Sequence, residues 1–328
     1  MKIGLFVPLE WEAAGDDGRH LANTLDLVRT AKEAGFSSLW LPQHFVTGPA
    51  MRQLATSPVL GLLAGLAEGM TLGTGVLLLP MLNPVLLAEE AATLDHLTGG
   101  KFILGVGLGY RAPEFQAFGV EMRSRVPRFR EYIEVMRLLW SRERVTFHGR
   151  YLHFDDVGLS LRPTNGTGVP VWVGSAVDDG VKRAAAIGDS WICAGAMSRT
   201  DLARWWGLFH ETRIALGRTT NYPRQIAREC FCGPDMKTAL ALAAGPLSAK
   251  YARYAANGWY DFSGPDGFAA FAKDRFVIGD DAFVRDELQR YRDEFGATEF
   301  RFRMAWPGLP QAEALASIRR VGRIAATL

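Results

Sequence analysis

This 328-residue sequence has few cysteines, no large excess of positive or negative charge, and no long apolar run. Its three cysteines, Cys193, Cys230 and Cys232, form no C-x-x-C pair, so we expect reduced thiols and no zinc site. The longest apolar run, MTLGTGVLLLPML, is shorter than the roughly 20 residues that span a bilayer. The formal net charge of +2 creates no strong field for nucleic acid or an anionic membrane surface. We therefore expect neither a nucleic-acid nor a membrane partner.

The first residues of the sequence lack the pattern of a secretory signal peptide. Their apolar stretch is short and is interrupted by Pro8 and Glu10. We therefore expect a cytoplasmic protein. Hydrophobic residues make up 48% and charged residues 22% of the chain, a composition that suits a globular protein with a large buried core.

Short apolar segments alternate with amphipathic helical patterns along the sequence. Eight strands are predicted, in the segments KIGLFVP, SSLWLP, MTLGTGVLLLP, KFILGVG, VPVWVGS, DSWICAG, QIARECFCG and TEFRFRMAW. This order favours the α/β class. It predicts an eight-stranded parallel TIM (β/α) barrel, a single domain over 1–328, rather than an open doubly wound sheet. Two insertions break the alternation: a hairpin at about 144–162, and a less regular segment at about 238–276 between strands seven and eight.

A glycine-rich stretch, KFILGVGLGYRAPEF, begins at Lys101. Its G-x-G-x-G spacing differs from the dinucleotide fingerprint G-x-G-x-x-G, and Pro113 follows closely. Catalytic groups of a parallel barrel lie at the carboxyl ends of its strands. There the sequence has glycines, hydroxyls, arginines, aromatic residues and one histidine, His44. It has neither the ligand set of a metal enzyme nor a lysine for a Schiff base. The mixture suits a flat, phosphorylated organic cofactor.

The sequence resembles the bacterial luciferase-like superfamily of flavin- and deazaflavin-dependent oxidoreductases. The matching segments are LPQHF, the block from Leu72 to Gly119, RSRVPRFREYIEVMRLLW, PVWVGSAVDDGVKRAAAIGDSW and MAWPGLPQAEALASIRRVG. The resemblance implies a TIM barrel with an insertion and an active site at the carboxyl ends of the strands. It also implies one of two cofactors: reduced FMN, which activates dioxygen, or the deazaflavin coenzyme F420, which passes a hydride.

The resemblance assigns roles to individual residues. His44 corresponds to the active-site histidine, Gly75-Val76 to a non-prolyl cis peptide, and Arg125 and Ser175 to the phosphate-binding groups. The expected cofactor-binding residues are Thr74, Gly75, Val76, Gly107, Tyr110, Arg125, Gly174 and Ser175. The expected substrate-pocket residues are Phe45, Met197 and Trp306. We interpret Gly105, Gly107 and Gly109 as a strand end kept thin beside the cofactor ring, with Tyr110 and Arg111 along the ribityl and phosphate path.

Three positions depart from the family pattern. Gln43 stands where relatives often carry an acid. Leu108 stands where luciferase has a second phosphate-binding arginine. Tyr110 stands where deazaflavin-dependent sugar dehydrogenases carry a catalytic glutamate. These departures weaken any role for a carboxylate beside His44 and make deazaflavin chemistry the second choice.

We expect a luciferase-like, FMN-dependent monooxygenase that uses dioxygen to oxidise a small, largely apolar organic substrate. A separate flavin reductase would supply reduced FMN, because the sequence has no NAD fingerprint. The alternatives are an F420-dependent hydride-transfer enzyme, a non-catalytic flavin-binding protein and a metal-dependent sugar-isomerase barrel. We expect a homo-oligomer, as a dimer.

Overall fold

The computed structural model describes residues 1–12, 16–49, 51–256, 258, 260–264 and 267–328. The chain folds as two units. The terminal unit consists of Met1–Ser38, Cys193–Leu208 and Pro223–Leu328, and the central unit of Leu39–Ile192 and Phe209–Tyr222. Each unit is an α/β structure with parallel strands, which confirms the predicted class.

Strands and helices alternate along the described chain. The strands are β1 (Lys2–Phe6), β2 (Glu10–Glu12), β3 (Ser38–Leu41), β4 (Met51–Gln53), β5 (Thr71–Thr74), β6 (Leu77–Leu78), β7 (Phe102–Gly107), β8 (Val145–His148), β9 (His153–Val157), β10 (Val171–Gly174), β11 (Ser190–Ile192), β12 (Gln225–Cys232), β13 (Val277–Gly279) and β14 (Glu299–Arg303). The helices are α1 (Asp17–Glu33), α2 (Thr56–Leu66), α3 (Pro84–Leu97), α4 (Ala112–Ala117), α5 (Arg125–Ser141), α6 (Asp178–Ile187), α7 (Arg199–Ala215), α8 (Met236–Ala256), α9 (Phe268–Ala272), α10 (Asp281–Phe295) and α11 (Gln311–Ala326). Short 3-10 helices occupy Leu79–Met81 and Met122–Ser124. Each of the eight predicted segments contains a strand.

The strands of the central unit lie in the order β11-β10-β7-β5-β3. β10 pairs in parallel with β7 and β11, and β7 pairs in parallel with β5 and β6. Trp40 of β3 and Trp172 of β10 are buried and stack with their ring centroids 5.3 Å apart. Asn83 caps the start of helix α3, and its side chain accepts the N–H groups of Val85 and Leu86. Pro84 then occupies the first helical position, where its missing N–H is not needed.

The strands of the terminal unit lie in the order β1-β14-β12-β13. β14 pairs in parallel with β1 and β12, and this register sets Glu229 opposite Arg303. Helix α1 packs against α11. That contact requires a glycine, because a Cβ at Gly322 would lie 2.2 Å from the Ala34 carbonyl oxygen.

Both predicted insertions can be compared with the structure. β8 and β9 pair antiparallel within 144–162, which confirms the hairpin. The segment 238–276, whose fold the sequence left open, is mainly helical in its described part. Its alanines favour helix, and Tyr251 and Phe271 pack in one buried cluster with Trp306. Residues 257, 259, 265 and 266 lie outside the described chain.

The state of the cysteines and the length of the helices agree with what the sequence composition indicated. All three cysteines are free and buried, as expected for reduced thiols. No helix in the described ranges is both long and apolar enough to cross a bilayer. Within those same ranges, no three His, Cys, Asp or Glu side chains gather in a way that could hold a metal ion.

Candidate active site

The chain turns sharply after β5, where the peptide bond between Gly75 and Val76 is cis. This confirms the expectation from the family resemblance. The Gly75 N–H donates to the Leu41 carbonyl oxygen (2.8 Å). The Thr74 hydroxyl donates to the Gly105 carbonyl oxygen (2.7 Å) and accepts from the Gly105 N–H (2.8 Å). Thr74 is fully buried, so its hydroxyl joins β5 to β7.

Glycines on β7 and β10 pack against this turn. A Cβ at Gly105 would lie 1.8 Å from the Thr74 carbonyl oxygen. Cβ atoms at Gly107 and Gly174 would lie 2.6 and 2.8 Å from methyl carbons of Val76. Contacts within the chain itself therefore exclude a side chain at these three positions. The sequence analysis attributed the glycines to a cofactor ring beside the strand end. The turn also brings five predicted cofactor residues together: Thr74, Gly75, Val76, Gly107 and Gly174.

His44 follows β3 and is held by a buried carboxylate. Its Nδ1 lies 3.2 Å from Oε1 of Glu114 in α4. The Glu114 side chain is fully buried, whereas that of His44 is 27% exposed. An ionised carboxylate only accepts hydrogen bonds, so the contact assigns the ring proton to Nδ1. Nε2 has no hydrogen-bond partner within the described chain and is the atom that can accept or release a proton.

Two further donors converge on the same carboxylate oxygen. The Phe45 N–H donates to Glu114 Oε1 (2.8 Å), and so does Arg111 Nη1 (3.3 Å). Arg111 also donates to the Phe45 carbonyl oxygen (3.0 Å). Burial acts to raise the pKa of Glu114, but hydrogen bonds from His44 and Phe45, with the charges of His44 and Arg111, lower it overall. Glu114 is therefore ionised at neutral pH.

Aromatic rings border the histidine. Tyr110 meets the His44 ring edge-on, with centroids 5.9 Å apart and planes at 88°. Phe45 packs against Phe118, with centroids 4.4 Å apart. The structure thus brings His44, Phe45 and Tyr110, all predicted site residues, into one cluster with Glu114.

Glu114 is the residue of this cluster that the sequence interpretation missed. That interpretation considered a carboxylate at the position of Gln43, next to His44, and at the position of Tyr110. The Gln43 side chain instead accepts the Leu78 N–H (3.0 Å). Glu114 lies in the first turn of α4. Acids are common there because they interact favourably with the helix dipole, so the position alone does not indicate a function. The sequence signal is the spacing of Arg111 and Glu114 around that helix start. Only the burial of Glu114 and its contact with His44 distinguish it from an ordinary acid of a first turn.

The predicted phosphate-binding residues lie in the central unit at the starts of two helices. Arg125 begins α5 and donates through Nη1 to the Met122 carbonyl oxygen (3.0 Å). Ser175 precedes α6, and its carbonyl oxygen accepts the Trp191 indole N–H (2.9 Å). The Ser175 hydroxyl lies 3.4 Å from the Val177 nitrogen. No side chain caps α6, so its first N–H groups are open to an anion, although its first turn also carries Asp178 and Asp179.

The other two predicted pocket residues belong to the terminal unit. Met197 and Trp306 are both buried there. The Trp306 indole N–H donates to the buried Glu229 (2.5 Å), which also accepts from Lys250 (2.5 Å). Trp306 therefore takes part in a charged hydrogen-bond network, and the pocket role of both residues stays a prediction.

The family model described as luciferase-like monooxygenase matches residues 1–314. The chain is 34% identical to 4-hydroxyprotoasukamycin monooxygenase of Streptomyces nodosus subsp. asukaensis, over 67% of this chain and 61% of that protein. It is 37% identical to F420-dependent glucose-6-phosphate dehydrogenase of Kineococcus radiotolerans, over 51% of each. The chain thus spans between half and two thirds of the length of these curated relatives.

A solved structure shares the fold. It is the oxygenating constituent of 3,6-diketocamphane monooxygenase from Pseudomonas putida, in complex with FMN. The TM-score is 0.79 at 19% identity, over 98% of this chain and 97% of that one. At this identity the likeness concerns the fold alone.

Proposed function

The chain belongs to the luciferase-like monooxygenase family, and from this premise we propose that it is an FMN-dependent monooxygenase. In this proposal it uses reduced FMN and dioxygen to oxidise a small, largely apolar organic substrate. The observation that carries the proposal is the His44–Glu114 pair, in which a buried carboxylate holds a partly exposed imidazole. An eight-stranded TIM barrel for the whole chain is part of the same proposal, supported by the predicted strand order and the shared fold.

The His44–Glu114 pair has the properties of an acid–base group. The ionised Glu114 keeps a proton on Nδ1 of His44, which leaves Nε2 to take up or deliver a proton at the substrate. The same carboxylate stabilises the imidazolium that forms. Arg111 fixes Glu114 and the Phe45 backbone, and so fixes the direction of the ring. Reduced FMN, when bound, would supply the electrons and the activation of dioxygen.

The residues present fit a flavin in two respects. Arg125, Ser175 and the uncapped start of α6 offer positive charge and donors to a phosphate. The turn at Gly75-Val76 and the ring of Tyr110 are the kind of apolar, planar surfaces against which an isoalloxazine ring packs.

A second candidate function is hydride transfer with coenzyme F420. The identity of 37% to an F420-dependent glucose-6-phosphate dehydrogenase favours it. His44 would then take the hydroxyl proton of an alcohol. We place it second because Tyr110 occupies the position of the catalytic glutamate of those dehydrogenases. A non-catalytic flavin-binding protein comes third, because the acid–base pair would have no task in it.

The proposal includes the conditions under which the enzyme would work. A separate flavin reductase would supply reduced FMN, since the sequence has no NAD fingerprint. The protein would act in the cytoplasm as a homodimer, as the sequence and its family resemblance lead us to expect.

Anaerobic titrations with reduced FMN and with reduced F420 test the choice of cofactor. The titrations would use the wild type, His44→Gln and a matched control, His96→Gln, whose exposed ring contacts the Arg162 carbonyl oxygen. The complexes would then be mixed with dioxygen and a panel of apolar ketones and aromatic compounds. We expect tight FMN binding in all three proteins. We expect substrate oxidation to fall by about 10²- to 10⁴-fold in His44→Gln only.

Other outcomes would contradict this assignment in different ways. Preference for F420, with turnover of an alcohol, would establish the second function. Tight FMN binding with no turnover of any substrate would favour the third. Equal oxidation by the wild type and His44→Gln would remove the acid–base role.

A further inference from the structure

A buried carboxylate of the terminal unit faces two cations that the acid–base pair does not involve. Glu229 lies in β12, and its side chain is fully buried. Its Oε1 accepts from Lys250 Nζ (2.5 Å) and from the Tyr251 hydroxyl (2.8 Å). Its Oε2 accepts from the Trp306 indole N–H (2.5 Å). Arg303 Nη1 lies 3.5 Å from the same Oε1, so one negative charge serves two positive charges.

Arg303 is the accessible cation of this network. Its side chain is 29% exposed, whereas that of Lys250 is 7% exposed. The guanidinium lies over the Phe6 ring, with its central carbon 4.1 Å from the ring centroid, and this contact orients its plane. Its acceptors among the described residues are Glu229, at the long distance of 3.5 Å, and the Tyr254 hydroxyl. The fork of N–H groups therefore has donors left for a ligand.

The charges around Arg303 favour an added anion. The pKa of Lys250 is lowered to about 8, first by burial and then by the charge of Arg303, while Glu229 acts in the opposite direction. Burial also acts to lower the pKa of Arg303, but Tyr254 and Glu229 raise it overall, so the guanidinium is charged at neutral pH. Glu10, the first residue of β2, adds negative charge nearby but forms no ion pair with either cation within the described ranges. An oxyanion at Arg303 would reduce the repulsion between the two cations.

Tyrosine rings form the surface next to this guanidinium. Tyr254 and Tyr260 are half-buried, and their ring centroids lie 6.1 Å apart. Both rings pack on the buried Tyr251, with centroid distances of 5.6 and 5.4 Å. The Tyr254 hydroxyl bonds to Arg303, whose charge also acts on Tyr260. The aromatic surface suits the flat, apolar body of an unsaturated molecule.

The position of Arg303 in the fold is that of a ligand-binding residue. It ends β14, which runs parallel to β1 and β12. Parallel α/β structures bind their ligands at the carboxyl ends of the strands. We propose that Arg303 binds the carboxylate of the substrate, and that the substrate is an aromatic or otherwise unsaturated carboxylic acid.

This inference rests on the proposed function, since the bound acid is the molecule that would be oxidised. It narrows a small, largely apolar substrate to one that also carries an acidic group. The planar guanidinium can bind both oxygens of that group at once. Glu229 is then a positioning residue, because it holds the cation without contacting the substrate.

Titrations with cinnamate and with cinnamamide, its neutral counterpart, isolate the contribution of the carboxylate. Calorimetry would follow binding to the wild type, Arg303→Met and Arg320→Met, with and without oxidised FMN. Arg320 is a matched control, because it lies in α11 of the same unit, is 31% exposed and pairs with one acid, Asp281. We expect the wild type to bind cinnamate roughly 10- to 100-fold more tightly than cinnamamide. We expect Arg303→Met to abolish this preference and Arg320→Met to retain it.

Urea unfolding and a second variant separate a binding arginine from a structural one. The unfolding midpoint of Arg303→Met should match that of the wild type, because Glu229 keeps its three closer donors. Arg303→Gln retains polar contacts to Glu229 and Tyr254 but lacks the charge, so it should also lose the preference for cinnamate. An undiminished preference in Arg303→Gln would overturn the inference. A lower midpoint with equal losses of cinnamate and cinnamamide binding would do so as well.

Phenyl phosphate in place of cinnamate distinguishes a carboxylate from a phosphate ester. Tighter binding of phenyl phosphate through Arg303 would contradict the carboxylic acid class. Once an acid that is oxidised has been found, Arg303→Met should raise its KM by roughly tenfold, with a smaller change in kcat. This split is expected because Arg303 contributes to binding and not to the reacting atoms.

The outcomes also separate this inference from the proposed function. Cinnamate binding that depends on Arg303, in a protein that oxidises no acid with reduced FMN and dioxygen, would support the acid site and contradict the monooxygenase. Oxidation of neutral apolar compounds by a protein that binds cinnamate and cinnamamide equally would support the monooxygenase and overturn the inference. A wild type that binds neither compound, with or without FMN, would also overturn it.

Discussion

Replacing Glu114 by glutamine tests whether the buried carboxylate controls His44. Three donors converge on Oε1 of Glu114: the His44 ring, the Phe45 N–H and Arg111. A hydrogen bond to a charged group contributes about 1.5–3 kcal/mol, and one between neutral groups about 0.5–1.5 kcal/mol. Glutamine keeps the shape and can still accept from Phe45, but it loses the charge. Water compensates part of this, because His44 and Arg111 are 27% and 29% exposed. We expect the free energy of unfolding at pH 7 to fall by about 2 kcal/mol.

The loss caused by Glu114→Gln has a defined pH dependence. The folded protein lowers the pKa of Glu114 below its ordinary value of 4.5. The charge therefore stabilises the fold at pH values above 4.5, and this contribution is lost as the pH falls through the lower folded value. The difference in unfolding free energy between wild type and variant should therefore shrink as the pH falls below about 5. Urea unfolding at a series of pH values measures it.

Imidazole ¹⁵N chemical shifts report where the ring proton is. We expect the Nδ1–H tautomer at His44 in the wild type. In Glu114→Gln the carboxamide can accept or donate, so a mixture of tautomers should appear. The spectrum of His44→Gln identifies the signal among the six histidines of the chain. An unchanged tautomer together with unchanged stability in Glu114→Gln would refute the reasoning.

Four other substitutions test the packing and one buried ion pair, each followed by urea unfolding at pH 7. Val46 has a φ of 43° although it is β-branched and 52% exposed, so Val46→Gly should raise stability by about 1 kcal/mol; a decrease would contradict the strain. Gly105→Ala should lower stability by about 3 kcal/mol or more, because backbone meets the new Cβ, whereas Gly61→Ala in α2 should raise it by about 0.5–1 kcal/mol. Equal effects of the two alanines would contradict the proposed packing. Glu229→Gln should lower stability by about 3–5 kcal/mol, since it leaves the buried Lys250 unpaired; a change below about 1 kcal/mol would be inconsistent with that pairing.

The order of strands and helices could be predicted because each element has a local pattern. Alternating apolar segments and capped helix starts lie within a few residues of one another in the sequence. Helix α8 could not be predicted in this way, because it contains Gly245 and Pro246, which disfavour a helix interior. Its buried Leu247 and Tyr251 join an aromatic cluster, and that packing outweighs the local preference. Such a contribution depends on contacts distant in sequence.

The site was predictable only as far as it resembled a motif. His44 stands in a short matching segment, LPQHF, and was identified from it. Glu114 is 70 residues away from His44 in the sequence, and its role depends on burial that no local pattern indicates. The buried carboxylate of Glu114 is therefore the part of this site that sequence reasoning alone could not find.

The departure at Gln43 has a physical consequence that can be measured. The chain supplies a carboxylate to His44 from α4, so restoring an acid at Gln43 would add a second negative charge there. Gln43 is 8% exposed, and its side chain has one described donor, the Leu78 N–H. A glutamate at this position would put a carboxyl group in a buried place, next in sequence to His44, whose ring contacts the ionised Glu114. We expect Gln43→Glu to lower the free energy of unfolding by about 1–3 kcal/mol at pH 7. The loss should shrink as the pH falls and the new carboxyl takes up a proton.

In Glu114→Gln/Gln43→Glu the loss caused by the new acid should be smaller than in the wild-type background, because the repelling neighbour is gone. Equal losses in both backgrounds would show that the two positions do not interact, and that Glu114 does not fill the place of the acid that relatives carry before the histidine.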